Sequence, residues 1–302
     1  MTKATTWLWY PPIPHTKHQI TDSLWQYRTK LLAGPPNEMF QNQTWSMKRG
    51  FSEAPTGFVS ASQTARVETE EWAARHMFCP NCGNPNLTSF EANRPVADFF
   101  CDGCGNEFEL KSQSRAFGRK VADGAYYTKM ERLAEDKSPN LILLQYDRGL
   151  REVVNLKVVP SFFFVASAIE RRRPLGPNAR RAGWIGSNIR LDKIPLVGQI
   201  PVISDRFIRT KSTVLEEWSD LKYVDKKFGE ARGWLISVMK CVEDLGPEEF
   251  SLAEVYAFEK ELAALFPNNN NVRPKIRQQL QVLRDNGFLQ FTSRGRYKLL
   301  EQ

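Results

Sequence analysis

Four cysteines fall into two CxxC pairs, Cys79 with Cys82 and Cys101 with Cys104, with 18 residues between the pairs and a glycine directly after each, Gly83 and Gly105. Nothing else in the chain narrows its folds as far. Zinc takes four thiolates in a tetrahedron, a CxxC turn supplies two of them at once, and glycine lets the backbone fold back behind the ion. The competing reading, a pair of disulfides, belongs to small secreted scaffolds rather than to a chain of 302 residues with ordinary composition. Four protein ligands leave no open coordination position, so the expected ion is structural. The fifth cysteine, Cys241, sits on an apolar helical face and reads as core.

A chain of this length is expected to form two domains. Hydrophobic residues at 41% and charged residues at 25% argue against wholesale disorder. No apolar run approaches the roughly 18 residues of a membrane span, and the N-terminus lacks a secretory signal, so a cytoplasmic protein without membrane association is expected. The net charge is +8. Its distribution says more than its size. Residues 148–211 carry 13 Lys and Arg against 4 Asp and Glu, and residues 272–298 carry 7 against 1, whereas residues 230–261 reverse the balance at 3 against 8. Such segregation presents positive charge to a phosphate backbone and withdraws it elsewhere.

Residues 1–57, with Trp7, Trp9, Trp25 and Trp45 among prolines, form an N-terminal extension of unknown role, with docking on the following domain the blander reading and a partner site the other. Residues 58–215 read as one mixed α/β domain. A helix spans 62–77, the cysteine segment forms strands, GAYYTKMERLAED forms a helix, and LILLQY and REVVNLKVVP form strands, the last ended by Pro160. Polar text around 216–229 reads as a linker. Residues 230–302 hold three helical stretches, at 234–242, 252–266 and 274–285. Ser251 and Glu254 stand in capping-box spacing and Pro274 in a first turn; a basic hairpin follows. Three helices and a hairpin is the order of a winged helix-turn-helix.

Chemistry enters at RPVADFF and EFELKSQ. Side chains two apart on a strand share a face, so Glu109 and Lys111 point together, and Asp98 on a preceding antiparallel strand lies beside them. Asp98 and Glu109, with the Leu110 carbonyl, offer the oxygen donors that Mg²⁺ prefers, while Lys111 suits orienting or deprotonating an attacking water. The pattern resembles the PD-(D/E)XK nuclease superfamily as Pro95, Asp98, Glu109 and Lys111, with Val96 and Ala97 separating the proline from the acid. Because Cys101 and Cys104 lie between Asp98 and Glu109, the metal knuckle is expected to cap the hairpin that carries both acids and to set its register. Only three histidines are present, His15, His18 and His76, and no histidine-based nuclease pattern is formed.

Taken together, SQTARVETEEW, FCPNCGNPNLTSFEANRPVADFFC, EFELKS, DGAYYTKM, NARRAGWIGSNI, EFSLAEVYAFEKEL and KIRQQLQVLRDNGFLQFTSRGRYKL resemble the Dam-replacing, DpnI-like family of type II restriction endonucleases over residues 60–302. The resemblance implies a PD-(D/E)XK nuclease domain with an inserted four-cysteine zinc ribbon, followed by a C-terminal winged-helix domain. It also implies cleavage of GATC duplexes methylated on adenine N6, with catalytic Mg²⁺ and structural Zn²⁺, and it places Asp98, Glu109 and Lys111 in the active site.

Methyl reading needs an apolar wall in the major groove. Trp184, in a glycine-flanked loop beside Arg180 and Arg181, is one such wall, and equally reads as a core anchor under a basic loop. In the winged helix, Arg273, Lys275, Arg277, Gln278 and Gln279 stand where a recognition helix meets bases or phosphates, and Arg294 and Arg296 suit phosphates from the wing. Glu70 and Glu71 read as a solvated helix face before they read as further metal ligands, and Gln113 as a candidate to position water. Oligomeric state is open, a monomer included. The rival function is a zinc-ribbon and winged-helix regulator that binds DNA without cutting it.

Overall fold

The computed structural model describes residues 47–52, 60–91, 97–246 and 248–300. Among the described residues the first helix, α1 (Ala61–His76), starts where the Ser60 hydroxyl accepts a hydrogen bond from the Gln63 amide at 3.3 Å. Strands β1 (Thr88–Ser89), β2 (Phe99–Phe100), β3 (Glu107–Gln113) and β4 (Lys120–Ala125) follow, then α2 (Tyr126–Ala134), β5 (Asn140–Asp147) and β6 (Glu152–Val159). Pro160 ends β6, having no amide hydrogen for a further ladder bond. Four more strands complete this part: β7 (Ile169–Arg171), β8 (Gly186–Arg190), β9 (Ile200–Ser204) and β10 (Phe207–Ile208).

Seven strands form a mixed sheet in the order β1, β2, β3, β5, β6, β9, β10, in which only β3 and β5 run parallel. A continuous apolar run suits the middle of such a sheet, where both faces are covered. Leu141, Ile142, Leu143 and Leu144 of β5 are accordingly all buried. Helix α1 is fixed to β3 by the Thr69 hydroxyl, which donates to the Ala65 carbonyl at 2.8 Å and meets the Ser112 hydroxyl at 2.9 Å. A second sheet, β4, β8, β7, is antiparallel throughout.

Of the N-terminal extension, residues 47–52 dock on this domain: Gly50 bridges Glu152, the Trp72 indole donates to the Lys48 carbonyl at 2.7 Å, and Phe51 meets Tyr146 edge to face. Trp7, Trp9, Trp25 and Trp45 lie outside the described residues.

The expected linker is helical and packed. Helices α3 (Lys211–Asp220) and α4 (Lys222–Asp225) cover most of it. Val214, Trp218 and Leu221 recur at helical spacing and are buried, with the Trp218 ring 6.0 Å from that of Phe162. One apolar side per helix turn is enough to seat the segment, however polar the remainder reads.

The C-terminal part comprises α5 (Gly229–Leu245), β11 (Phe250–Ser251), α6 (Leu252–Tyr256), α7 (Glu259–Leu265), α8 (Val272–Asp285), β12 (Leu289–Ser293) and β13 (Arg296–Leu299). Ser251 and Glu254 form both halves of a capping box. The helix expected over 252–266 is broken at Ala257 and Phe258, whose amides bond back three residues rather than four. Strand β11 pairs with β13 and adds a third strand to the wing. This part seats on the sheet domain through Glu243, which accepts the amides of Leu196 and Val197 at 2.9 and 3.4 Å, and through buried Arg232, paired with Asp136. No helix among the described residues is long and apolar enough to cross a membrane.

Candidate active site and metal centre

The two CxxC turns are built alike. In each, the first cysteine's amide donates to an asparagine carbonyl five residues on, Cys79 to Asn84 at 2.8 Å and Cys101 to Asn106 at 2.9 Å. In each, the glycine amide returns to the first cysteine's carbonyl at 2.8 Å. Gly83 and Gly105 hold φ of 78° and 71°, the left-handed region that side chains disfavour. The four sulfurs all lie within 4.8 Å of one another, with Cys79 to Cys104 at 3.6 Å and Cys82 to Cys101 at 3.5 Å. Those spacings approach the edge of about 3.8 Å that a tetrahedron of zinc–sulfur bonds requires. Side-chain amides of Asn84 and Asn106 point at Cys101 and Cys104 sulfurs, at 3.6 and 3.4 Å, as outer donors to thiolates do. The cluster fits one metal ion held by four cysteines.

Cys101 and Cys104 lie in the turn between β2 and β3. Their register opposes Phe99 to Phe108 and Phe100 to Glu107, and Phe99 and Phe108 are buried on one face. Asp98 directly precedes β2, and its amide donates to the Phe108 carbonyl at 2.9 Å, which sets it beside the part of β3 that carries Glu109. The Asp98 carboxylate turns to the strand edge and accepts the Leu110 amide at 2.7 Å. A strand residue's N–H and C=O point to the same edge, so the Leu110 carbonyl lies on Asp98's side of β3.

Glu109 and Lys111 meet directly, Nζ to Oε1 at 2.6 Å. Two residues that the sequence reading missed complete the group. Asp123 of β4 lies 3.0 Å from Lys111 through Oδ1 and 3.0 Å from Lys129 of α2 through Oδ2, and Lys129 reaches Glu109 at 3.4 Å. Two acids and two ammonium groups thus meet, with the Asp123 and Lys129 side chains only 3% and 5% exposed and those of Glu109 and Lys111 13% and 21%. Burial pushes the Glu109 carboxyl above its usual range. Burial pulls on Lys111 too, but Glu109 and Asp123 outweigh it and hold the ammonium form; Lys129 and Lys111 likewise overcome burial to keep Asp123 ionised. The signal in the sequence was an acid at an inward position of an alternating strand: in β4, Val121 and Asp123 are the two buried residues.

The donors of Asp98, Glu109 and the Leu110 carbonyl are all oxygen, the set that a hard divalent cation takes. Pro95 and Val96 lie outside the described residues. Glu70 and Glu71 pair along the helix with Arg66 and Arg75, each at 2.6 Å, and Arg66 also feels the Asp98 charge. Gln113 is not aimed at this group: its amide braces the next loop on the Arg115 and Ala116 carbonyls, at 3.1 Å each.

Arg180 and Arg181 are exposed in the loop between β7 and β8, the hairpin next to β4. Trp184 there is half-buried. Its ring lies against Gly186, and the Arg181 guanidinium stands 5.3 Å from its centroid. Of the winged-helix residues, Arg277, Gln278, Arg294 and Arg296 are exposed; Lys275 is half-buried and lines an open cleft with Gln278 and Asn268–Asn271. Arg273 is engaged by Glu259 at 2.9 Å and lies over the Tyr256 ring. Gln279 departs from expectation: at 5% exposed it sits between Ile276 and Leu283 on the inward stripe of α8 and receives no solvent-side role.

The chain matches the model of the Dam-replacing family, DpnI, over residues 52–227, and that of the Dam-replacing HTH domain over residues 230–299. With the cysteine cluster, the mixed sheet and the C-terminal helix-turn-helix in place, the chain belongs to the Dam-replacing family.

Proposed function

We propose that this chain is a methyl-directed type II restriction endonuclease that hydrolyses phosphodiester bonds in double-stranded DNA carrying N6-methyladenine in GATC. Membership of the Dam-replacing family supports a restriction endonuclease, and the helix-turn-helix domain supports DNA as the partner. The observation that carries the chemistry is the 2.6 Å contact of Glu109 with Lys111 on a strand whose Leu110 amide, between them, is bound by the Asp98 carboxylate at 2.7 Å. In this reading Asp98, Glu109 and Lys111 are the acid pair and lysine of a PD-(D/E)XK nuclease. Asp98, Glu109 and the Leu110 carbonyl would hold Mg²⁺, and the four cysteines Zn²⁺. When bound, magnesium supplies positive charge that acidifies a water and polarises the scissile phosphate.

Lys111 orients the attacking water and offsets charge that grows on the phosphate oxygens. The water oxygen bonds phosphorus as one P–O bond to a sugar breaks, leaving a phosphate monoester and a hydroxyl. Arg180 and Arg181 bind backbone or guanine, and Trp184 meets the methyl group in the major groove, while Arg277, Gln278, Arg294 and Arg296 engage the duplex from the second domain.

The test uses synthetic duplexes with one GATC, methylated or not, incubated with protein and Mg²⁺. Cutting of the methylated duplex alone is expected. Cutting of both sinks the methyl assignment, and tight binding without cutting favours a DNA-binding regulator.

A further inference from the structure

Resting on the nuclease reading above, the geometry points to Asp123 as the residue that positions Lys111 for phosphodiester hydrolysis. Lys111 has two anionic neighbours, Glu109 at 2.6 Å and Asp123 at 3.0 Å. Glu109 has a competing task as a cation ligand, and a carboxylate that turns to a cation no longer holds the lysine. Asp123 has no such task. It comes from a different sheet and is buried.

Its placement is built rather than incidental. Strand β4 shifts register against β8 between Asp123 and Ala125, an irregularity of the kind that re-aims a side chain. Beside it, the buried Ser187 hydroxyl donates to the Gly124 carbonyl at 3.0 Å and pins the shifted backbone. Lys129, 3.0 Å from Oδ2 and 5.4 Å from the Phe164 ring centroid, balances the second oxygen, so Asp123 keeps its charge while offering Oδ1 to Lys111. Without Asp123, Lys111 follows Glu109 or swings free, and its ammonium is no longer fixed where the water must be held.

Asp123 touches neither substrate nor cation in this account, so its loss should slow cleavage without weakening binding. The test compares wild type, Asp123→Asn and the doubly neutral Asp123→Asn/Lys129→Met, which removes both partners of the buried pair and so avoids leaving one charge alone. Single-turnover cleavage of methylated duplex is read with Mg²⁺, duplex affinity with Ca²⁺ in its place, and folding by thermal midpoint. Both variants should cut at least about tenfold more slowly with Kd within about twofold of wild type. A wild-type cleavage rate in either folded variant, or a fall in affinity that matches the fall in rate, overturns the assignment of Asp123 alone. A wild type that binds but never cuts overturns the nuclease reading and this inference with it.

Discussion

The carboxylate of Asp98 accepts the backbone amide of Leu110 at 2.7 Å, which locks the acid to the strand that carries Glu109 and Lys111 on either side of that leucine. Asp98 directly precedes β2, and the turn between β2 and β3 is the second half of the four-cysteine cluster. Since β3 is held by its ladder to β5, a slip of β2 by one residue would carry Asp98 away from the Leu110 amide and turn Phe99 off the buried face.

Cys101→Ser should therefore lower cleavage by about a hundredfold, the scale of an ångström-level misplacement, although no reacting group is altered. Metal analysis should find less than one zinc per chain. A folded, zinc-free variant with full activity would contradict the register argument.

Gly186→Ala should erode the preference for methylated duplex. An added Cβ would stand 2.8 Å from Cη2 and Cζ3 of Trp184, so the indole must move. Competition binding with methylated and unmethylated duplexes reads the ratio directly. An unchanged ratio removes Trp184 from methyl recognition.

Arg277→Ala and Gln279→Ala, two residues apart, should behave differently. Arg277 is exposed, and its loss should reduce the slope of log Kd against log salt by about one. Gln279 is buried, and its loss should leave Kd alone while costing roughly 1 kcal/mol of stability in urea melts.

Glu243→Ala strips the amides of Leu196 and Val197 of their acceptor where the C-terminal part seats on the sheet domain. A buried donor left unmet costs about 1–3 kcal/mol. Urea unfolding should show that loss; an unchanged midpoint would mean that the two amides find another acceptor.

What the sequence made legible was local. The spacing of Cys79, Cys82, Cys101 and Cys104 specifies two identical turns, and the two-residue period of a strand puts Glu109 beside Lys111 with no knowledge of the rest. Asp123 and Lys129 were illegible because they reach the same point from another sheet and from the helix after it, and only tertiary packing brings them within 3.0 Å of each other. The misread linker has the same origin as Gln279. Buried stripes in α3 and α8 are set by which face meets the neighbouring core, so Trp218 turns inward within polar text and Gln279 turns inward among residues that face solvent.

The most direct test of the central claim, that a cysteine-clipped hairpin gathers Asp98, Glu109 and Lys111 to cut methylated DNA, is digestion of one plasmid prepared with and without adenine methylation. It is run with Mg²⁺ by wild type, Asp98→Ala and Glu109→Gln. Wild type should linearise or fragment only the methylated plasmid, and both variants should bind it but leave it intact. Undiminished cutting by either variant would contradict the claim.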